Sequence, residues 1–379
     1  MHTVLQKKLN LWMWLCLLPS LATFAQVRIA DPARDTYVSG LFQVVLEASL
    51  PDQISHTSLF VDGKRVFEAD GFIPSVEVDF GEEIVAHEIY ASFVDDQGKT
   101  LLTSTVRTRA LEINVTDTSE VILLTAVVKT SRNNAITGLE QEDFRVLENG
   151  RPVEIVSFYK EHMPLDLVFL LDTSSSLRVK GIGTVKAAAA SFLEQLDPAD
   201  RVSLYEFKTK SLKRLDFTND RKLLLSFIEK IEAIGETALF DTLHDGLGDL
   251  KGRRRGRKAL VLFTDGRDSV YEEPETKARL MRAAISKAQN QEVSLFTIGL
   301  GKRVHNQALE RMALETGGRF FKAEGVADLD SIFAEIVQDL KHQYVLGVRP
   351  ISTERGFQRI KVEVDKRRAT VYARKGYTR

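Results

Sequence analysis

The chain has 379 residues, 44% of them hydrophobic and 28% charged, with a formal net charge of −1. At ~100–200 residues per domain this length suggests two or three domains, with enough apolar content for packed cores. Nine prolines and 23 glycines exclude collagen-like and low-complexity chains, and 52 basic against 53 acidic residues leave no electrostatic footprint for nucleic acid.

Residues 1–25 read as a secretory signal peptide. Lys7 and Lys8 form a positive start, 9–18 is an apolar stretch interrupted by Asn10, and Thr23 and Ala25 precede a cut before Gln26. The stretch is shorter than the ~20 residues a membrane-spanning helix needs, and an uncleaved anchor is the alternative. The expected destination is outside the cytoplasm: periplasmic, on the cell surface or secreted. No later run is apolar enough to span a bilayer. The single cysteine, Cys16, lies in this segment, so the mature chain would hold no disulfide, thiolate metal site or cysteine nucleophile. Removing Lys7 and Lys8, and no acid, moves the net charge from −1 to −3.

Residues 27–113 predict an all-β unit. Strand formers fill 42–48, a hairpin turns at Asp62-Gly63-Lys64, residues 75–80 alternate with period two, and two further strands flank Asp95-Asp96-Gln97-Gly98. Short strands at ~8–12 residue spacing suggest a small sandwich resembling bacterial Ig-like modules. Residues 114–160 form a second β-rich stretch, read as a connector, with a strand over 121–130 and a hairpin at Asn149-Gly150. Asn114-Val115-Thr116 fits a glycosylation sequon.

From 165 the rhythm changes to strands alternating with helices. Residues 167–171, 202–207, 259–263, 293–298 and 318–322 predict strands; apolar periodicity over 185–196, 223–231, 239–250, 276–289, 308–314 and 329–340 predicts helices. The continuous apolar strands are those of a sheet covered on both faces. The expected fold is α/β: a Rossmann-like, doubly wound, mostly parallel sheet over 165–342. The N-terminal β unit and the connector precede it, and a β-rich tail over 343–379 follows.

Open parallel sheets bind ligands at the carboxyl ends of their strands. The first strand of this unit runs into Asp172-Thr173-Ser174-Ser175-Ser176, and a later one into Thr264-Asp265-Gly266. Between them Gly235-Glu236-Thr237 leads into a helix. Three loops thus bring only oxygen ligands to one edge, which suits a hard cation.

This pattern resembles the metal ion-dependent adhesion site of the von Willebrand factor type A family, with D-x-S-x-S after the first strand, a threonine on a later loop and an aspartate after the fourth strand. Asp172, Ser174, Ser176, Thr237 and Asp265 fill the five positions in order. The whole layout also resembles exported bacterial proteins that carry such a domain between β-rich flanks. The resemblance implies that Ser174, Ser176 and Thr237 coordinate a divalent ion, Mg²⁺ first and Ca²⁺ or Mn²⁺ otherwise, with Asp172 and Asp265 acting through water or one of them directly. It also implies a partner protein that supplies an Asp or Glu carboxylate.

Other signals are weaker. The basic run 251–258 (KGRRRGRK) reads as a solvated loop rather than a polyanion patch. Asp268 reads as a turn residue, and Asp241 as a support for the Thr237 loop. The Asp172 loop opens like a calcium-binding EF-hand, but its twelfth position is Gly183 where a bidentate glutamate is needed. No nucleophile elbow G-x-S-x-G and no paired histidine motif occur. The expectation is therefore a non-enzymatic, metal-dependent protein-binding module. A scaffold whose metal only stabilises the crevice, and a metal-assisted hydrolase, are the alternatives.

Overall fold

In a computed structural model the described residues are 26–379, apart from 82–83, 111–120, 161–162, 178–180, 235–237, 254–255, 266–269, 272, 302–303 and 367. Residues 1–25, read as a signal segment, the sequon pattern at 114–116, Thr237 and Asp268 lie outside them. Among the described residues no helix is long and apolar enough to cross a membrane.

The N-terminal unit contains β1 (Val27–Asp31), β2 (Leu41–Ala48), β3 (Ile54–Val61), β4 (Lys64–Asp70), β5 (Ser75–Asp79), β6 (Glu88–Asp95), β7 (Thr100–Leu102) and β8 (Val106–Arg107). They form two antiparallel sheets, β1-β2-β5 and β4-β3-β6-β7, with β8 paired to β6. Alternate residues of each strand face one core: Phe42, Val44 and Leu46 from one sheet meet Leu59, Ile89 and Phe93 from the other. Asp62 and Gly63 both have positive φ, so Val61 pairs directly with Lys64 across a two-residue turn.

The next four strands, β9 (Ile122–Lys129), β10 (Phe144–Glu148), β11 (Arg151–Val153) and β12 (Ile155–Tyr159), do not stand alone as a connector. The α/β unit follows, and after it come β19 (Gln343–Val348), β20 (Phe357–Val364), β21 (Thr370–Ala373) and β22 (Gly376–Thr378), numbered after the six strands of that unit. The two groups interleave as the sheets β11-β10-β20-β22 and β12-β19-β9-β21, around one core that includes Leu124, Phe144, Tyr344, Leu346 and Ile360. The separate connector and tail read from sequence are thus halves of one sandwich. The α/β unit is inserted between them.

That inserted unit runs β13 (Leu165–Asp172), α1 (Ile182–Glu194), β14 (Arg201–Phe207), β15 (Ser211–Thr218), α2 (Arg221–Glu229), α3 (Leu239–Asp249), β16 (Arg257–Thr264), α4 (Pro274–Asn290), β17 (Val293–Leu300), α5 (Asn306–Glu315), β18 (Phe320–Ala323) and α6 (Leu329–Lys341). The sheet order is β15-β14-β13-β16-β17-β18, all parallel except β15. Every residue of β13 is buried. Leu167, Phe169 and Leu171 face α1, α2 and α6, while Val168 and Leu170 face α3 and α4. Period-two alternation with apolar residues on both sides is what a doubly covered strand requires.

Two readings are corrected here. β15 was not predicted from sequence; it is an edge strand, mostly outside the core, with Lys213 and Arg214 on it, so it carries no burial pattern. The basic run is a solvated loop only at its start, where Lys251 is exposed; its end lies in β16. Arg257 is buried and donates to the Met163 carbonyl (2.9 Å) and Gln343 Oε1 (3.2 Å), and also to the Leu340 carbonyl. Arg253 bonds Asp166 at 2.6 Å and stacks over the Phe217 ring.

Candidate metal centre

β13 and β16 are adjacent and parallel, so the residues that follow them leave the sheet side by side at its carboxyl edge. Asp172 closes β13. Its Oδ1 accepts the Ser174 amide at 2.9 Å, which turns the chain sharply, and its Oδ2 accepts the Thr264 hydroxyl at 2.6 Å. The short side chain satisfies backbone amides that the strand can no longer bond. Thr173 anchors the same loop from below: its amide bonds the Phe207 carbonyl (3.0 Å) and its hydroxyl donates to Glu206 (2.9 Å).

This turn brings Ser174 and Ser176 to Asp265. Their hydroxyl oxygens lie 2.9 Å apart, and Asp265 Oδ1 lies 2.8 Å from Ser176 Oγ and 3.3 Å from Ser174 Oγ. Asp172, Ser174 and Asp265 are buried, whereas Ser175 is exposed and Ser176 half-buried, so the cluster opens to solvent on the Ser176 side. Four of the five residues singled out in sequence are therefore together. Thr237 lies outside the described residues, but its flanks are tied to the same place: the Ile234 amide donates to the Thr173 carbonyl (2.8 Å) and the Ala238 amide to the Lys208 carbonyl (2.7 Å).

The donor set fits a hard divalent cation. It is oxygen-only, and adjacent oxygens of an octahedron with ~2.0–2.1 Å bonds are ~2.9 Å apart, close to the three separations found. Burial pushes the Asp172 carboxyl up to about 6; bonds from Thr264 and the Ser174 amide oppose this, and the nearby Asp265 adds to it. Two acidic groups packed this way favour a positive charge between or beside them. Among the described residues no three His, Cys, Asp or Glu side chains gather into a metal cluster, so the hydroxyls are needed to complete any set.

Glu206 shows the contrast. It too is buried, but Lys208 (2.9 Å) and Arg214 (2.6 Å) neutralise it, and its carboxyl is held below the ordinary range once their bonds outweigh burial. It is a support, not a ligand. Sequence reasoning missed both Glu206 and Thr264. Thr264 had a signal, being a hydroxyl at a strand end beside Asp265; Glu206 had none, since its role depends on the pairing of β14 with β13. Asp241 accepts the Tyr271 hydroxyl at 2.8 Å; the loop it was expected to support lies outside the described residues.

Residues 166–335 match the von Willebrand factor type A domain model. Over 169 residues the chain is 29% identical to human inter-alpha-trypsin inhibitor heavy chain H4, covering 41% of this chain and 18% of that protein. It is 24% identical over 187 residues to an uncharacterized Synechocystis protein, covering 48% and 43%. The chain thus spans less than half the length of either relative. Among solved structures, a von Willebrand factor type A protein from Catenulispora acidiphila aligns with a TM-score of 0.43 at 13% identity, covering 68% of this chain and 74% of that one. Proximal thread matrix protein 1 from mussel byssus, described with a zinc-occupied adhesion-site motif, aligns at 0.42 and 18% identity, covering 56% and 50%.

Proposed function

This chain contains a von Willebrand factor type A domain, and we propose that it uses the cluster at Asp172, Ser174, Ser176 and Asp265 as a metal ion-dependent adhesion site for a protein partner. The observation that carries the reading is the triangle of Ser174, Ser176 and Asp265 oxygens, 2.8–3.3 Å on a side, at the carboxyl edge of the sheet.

When bound, a divalent cation, Mg²⁺ by preference, would supply Lewis acidity toward one outside oxygen. The chain's own residues do the rest. Ser174 and Ser176 offer neutral donors, which leave a cation's charge only partly offset and therefore attractive to an Asp or Glu carboxylate of the partner. The resemblance to the family's adhesion site would add the Thr237 hydroxyl to the set. Asp172 and Asp265 hold the hydroxyls in place and balance the remaining charge, directly or through water. We read the function as binding rather than turnover, because neutral hydroxyl donors suit a cation that captures an outside carboxylate. The N-terminal sandwich, read as an Ig-like module, and the split sandwich would flank the site in a protein exported from the cytoplasm.

The test is metal-linked stability of the full chain. With saturating Mg²⁺ at a hundred times Kd, wild type should gain about 2.7 kcal/mol, read as a rise in Tm, and Asp172→Ala should gain none. Equal responses would remove the site. A pull-down of partner that is indifferent to EDTA, in a chain that does bind metal, would favour the scaffold role.

A further inference from the structure

Beside the metal centre the helices leave a groove of about 510 Å³ between α3, α4 and α5. Its floor is Phe240, Met281, Val304, Leu309 and Met312. Four of these belong to the core beneath the sheet face, and Met281 packs against it half-buried. The basic side chains lining it are Arg311, which is exposed, and Lys277, which is half-buried and already engaged within the chain, with His305 next to them. No acidic side chain lines it among the described residues.

The groove adjoins the metal centre by construction of the sheet. Thr264, which bonds Asp172, pairs with Gly299 on β17. Gly299 packs under Val304, where an added Cβ would lie 3.0 Å from Cγ1. Phe240 stands three residues past Thr237, at the start of α3. Both sides of the groove therefore grow out of loops that leave the same sheet edge as Asp265.

We propose that this groove receives an apolar stretch of the protein partner that also carries acidic side chains, alongside the carboxylate held at the metal centre. The inference rests on the adhesion-site reading and adds the class of partner to it. Apolar walls favour Leu- or Phe-sized side chains. Arg311, exposed on the rim, favours acidic neighbours and disfavours basic ones, so charge sets which segments dock. A single carboxylate on a metal ion is common to every acidic surface; the groove is what would make the contact selective.

The test uses the full chain in Mg²⁺ and two series of capped synthetic peptides. One series carries a lone Asp in a Gly/Ser background. The other adds Leu and Phe three to six residues away, with a Glu between them. The second series should bind at least about tenfold tighter, the scale of burying one large apolar side chain. Met281→Glu should abolish that ratio, and Arg311→Glu, an exposed change, should reduce it severalfold. The Tm shift with Mg²⁺ is read on the same variants, so that loss of fold registers separately. A ratio near one, a ratio that survives Met281→Glu, or no binding of either series would overturn the groove. Concentration-dependent dimerisation lost in Met281→Glu would replace the partner with a second copy of the chain. Groove-dependent binding that persists in EDTA would keep the groove and remove the adhesion-site reading. Binding of both series lost in EDTA but unmoved by either groove variant would do the reverse.

Discussion

Buried carboxylates in this protein divide by what surrounds them. Asp172 faces Asp265 and hydroxyls, in a place that suits a cation. Asp200 caps a turn instead: its Oδ1 accepts the Leu165 amide at 3.0 Å and its Oδ2 the Asp197 amide at 3.1 Å. Burial pushes Asp200 up to about 6; Arg257 opposes this, Asp197 adds to it and Arg221 opposes it again. The folded state then holds this proton more tightly than the unfolded chain, whose carboxyl titrates near 3.8. Between about pH 4 and 6 the native state binds more protons, so this group's contribution falls as pH rises and is flat above. The stability difference between wild type and Asp200→Asn should drift against wild type by up to about 3 kcal/mol over that window, measured by urea unfolding at each pH. No drift would mean that Asp200 keeps an ordinary carboxyl.

At the scale of elements, the metal loop is held by the strand beside it. Glu206 on β14 links Thr173 of the loop to Lys208 and to Arg214 on β15. Removing one partner of a buried charged set leaves the others unpaired, at a cost of about 3–5 kcal/mol when burial is complete. Arg214 and Lys208 are part-exposed, which discounts the figure. Glu206→Ala should therefore lower stability by about 2–3 kcal/mol and weaken Mg²⁺ binding, since Thr173 loses its tether; Glu206→Gln, which keeps an acceptor for Thr173, should recover part of the metal response. Calorimetric titration of the two variants checks this. An unchanged Mg²⁺ affinity in Glu206→Ala would show that the loop holds its shape without β14.

At the scale of the whole molecule, one sandwich precedes a second that is interrupted by the domain it presents. Both ends of the α/β unit enter the sandwich through strands, at β12 and β19, and the seam between them is lined by buried charge. Asp339 on α6 accepts from Lys129 on β9 at 2.6 Å and from Arg319 at 2.5 Å. Arg374 donates to the Leu123 carbonyl (2.9 Å) and lies 3.4 Å from Glu292, whose carboxylate accepts the Leu123 amide at 2.9 Å. Asp339→Ala leaves buried Lys129 without its partner and half-buried Arg319 with only the Glu335 carboxylate, and should cost about 3 kcal/mol. Because the seam joins the two units, a single unfolding transition should remain in wild type, and the variant should split it into two. Differential scanning calorimetry reads both; one unsplit transition in the variant would assign the coupling to apolar contacts instead.

Local chemistry was enough to find much of this. The apolar run before Asp172 must be a strand covered on both faces, and a strand of that kind delivers Asp172, Ser174 and Ser176 to a sheet edge; Asn149-Gly150 can only turn. These rest on properties of neighbouring residues, and neighbouring residues are what a sequence displays. The pairing of Val127 with Gln343 and of Ile122 with Val348 joins segments some two hundred positions apart, and no local pattern distinguishes that from two independent β stretches. Nor does a basic run disclose that Arg257 is buried, because a charge enters an interior only when a particular set of distant carbonyls is there to receive it. The identities of the candidate ligands were thus written in the chain, whereas their separations, their supports Glu206 and Thr264, and the groove beside them exist only once the strands have chosen their neighbours.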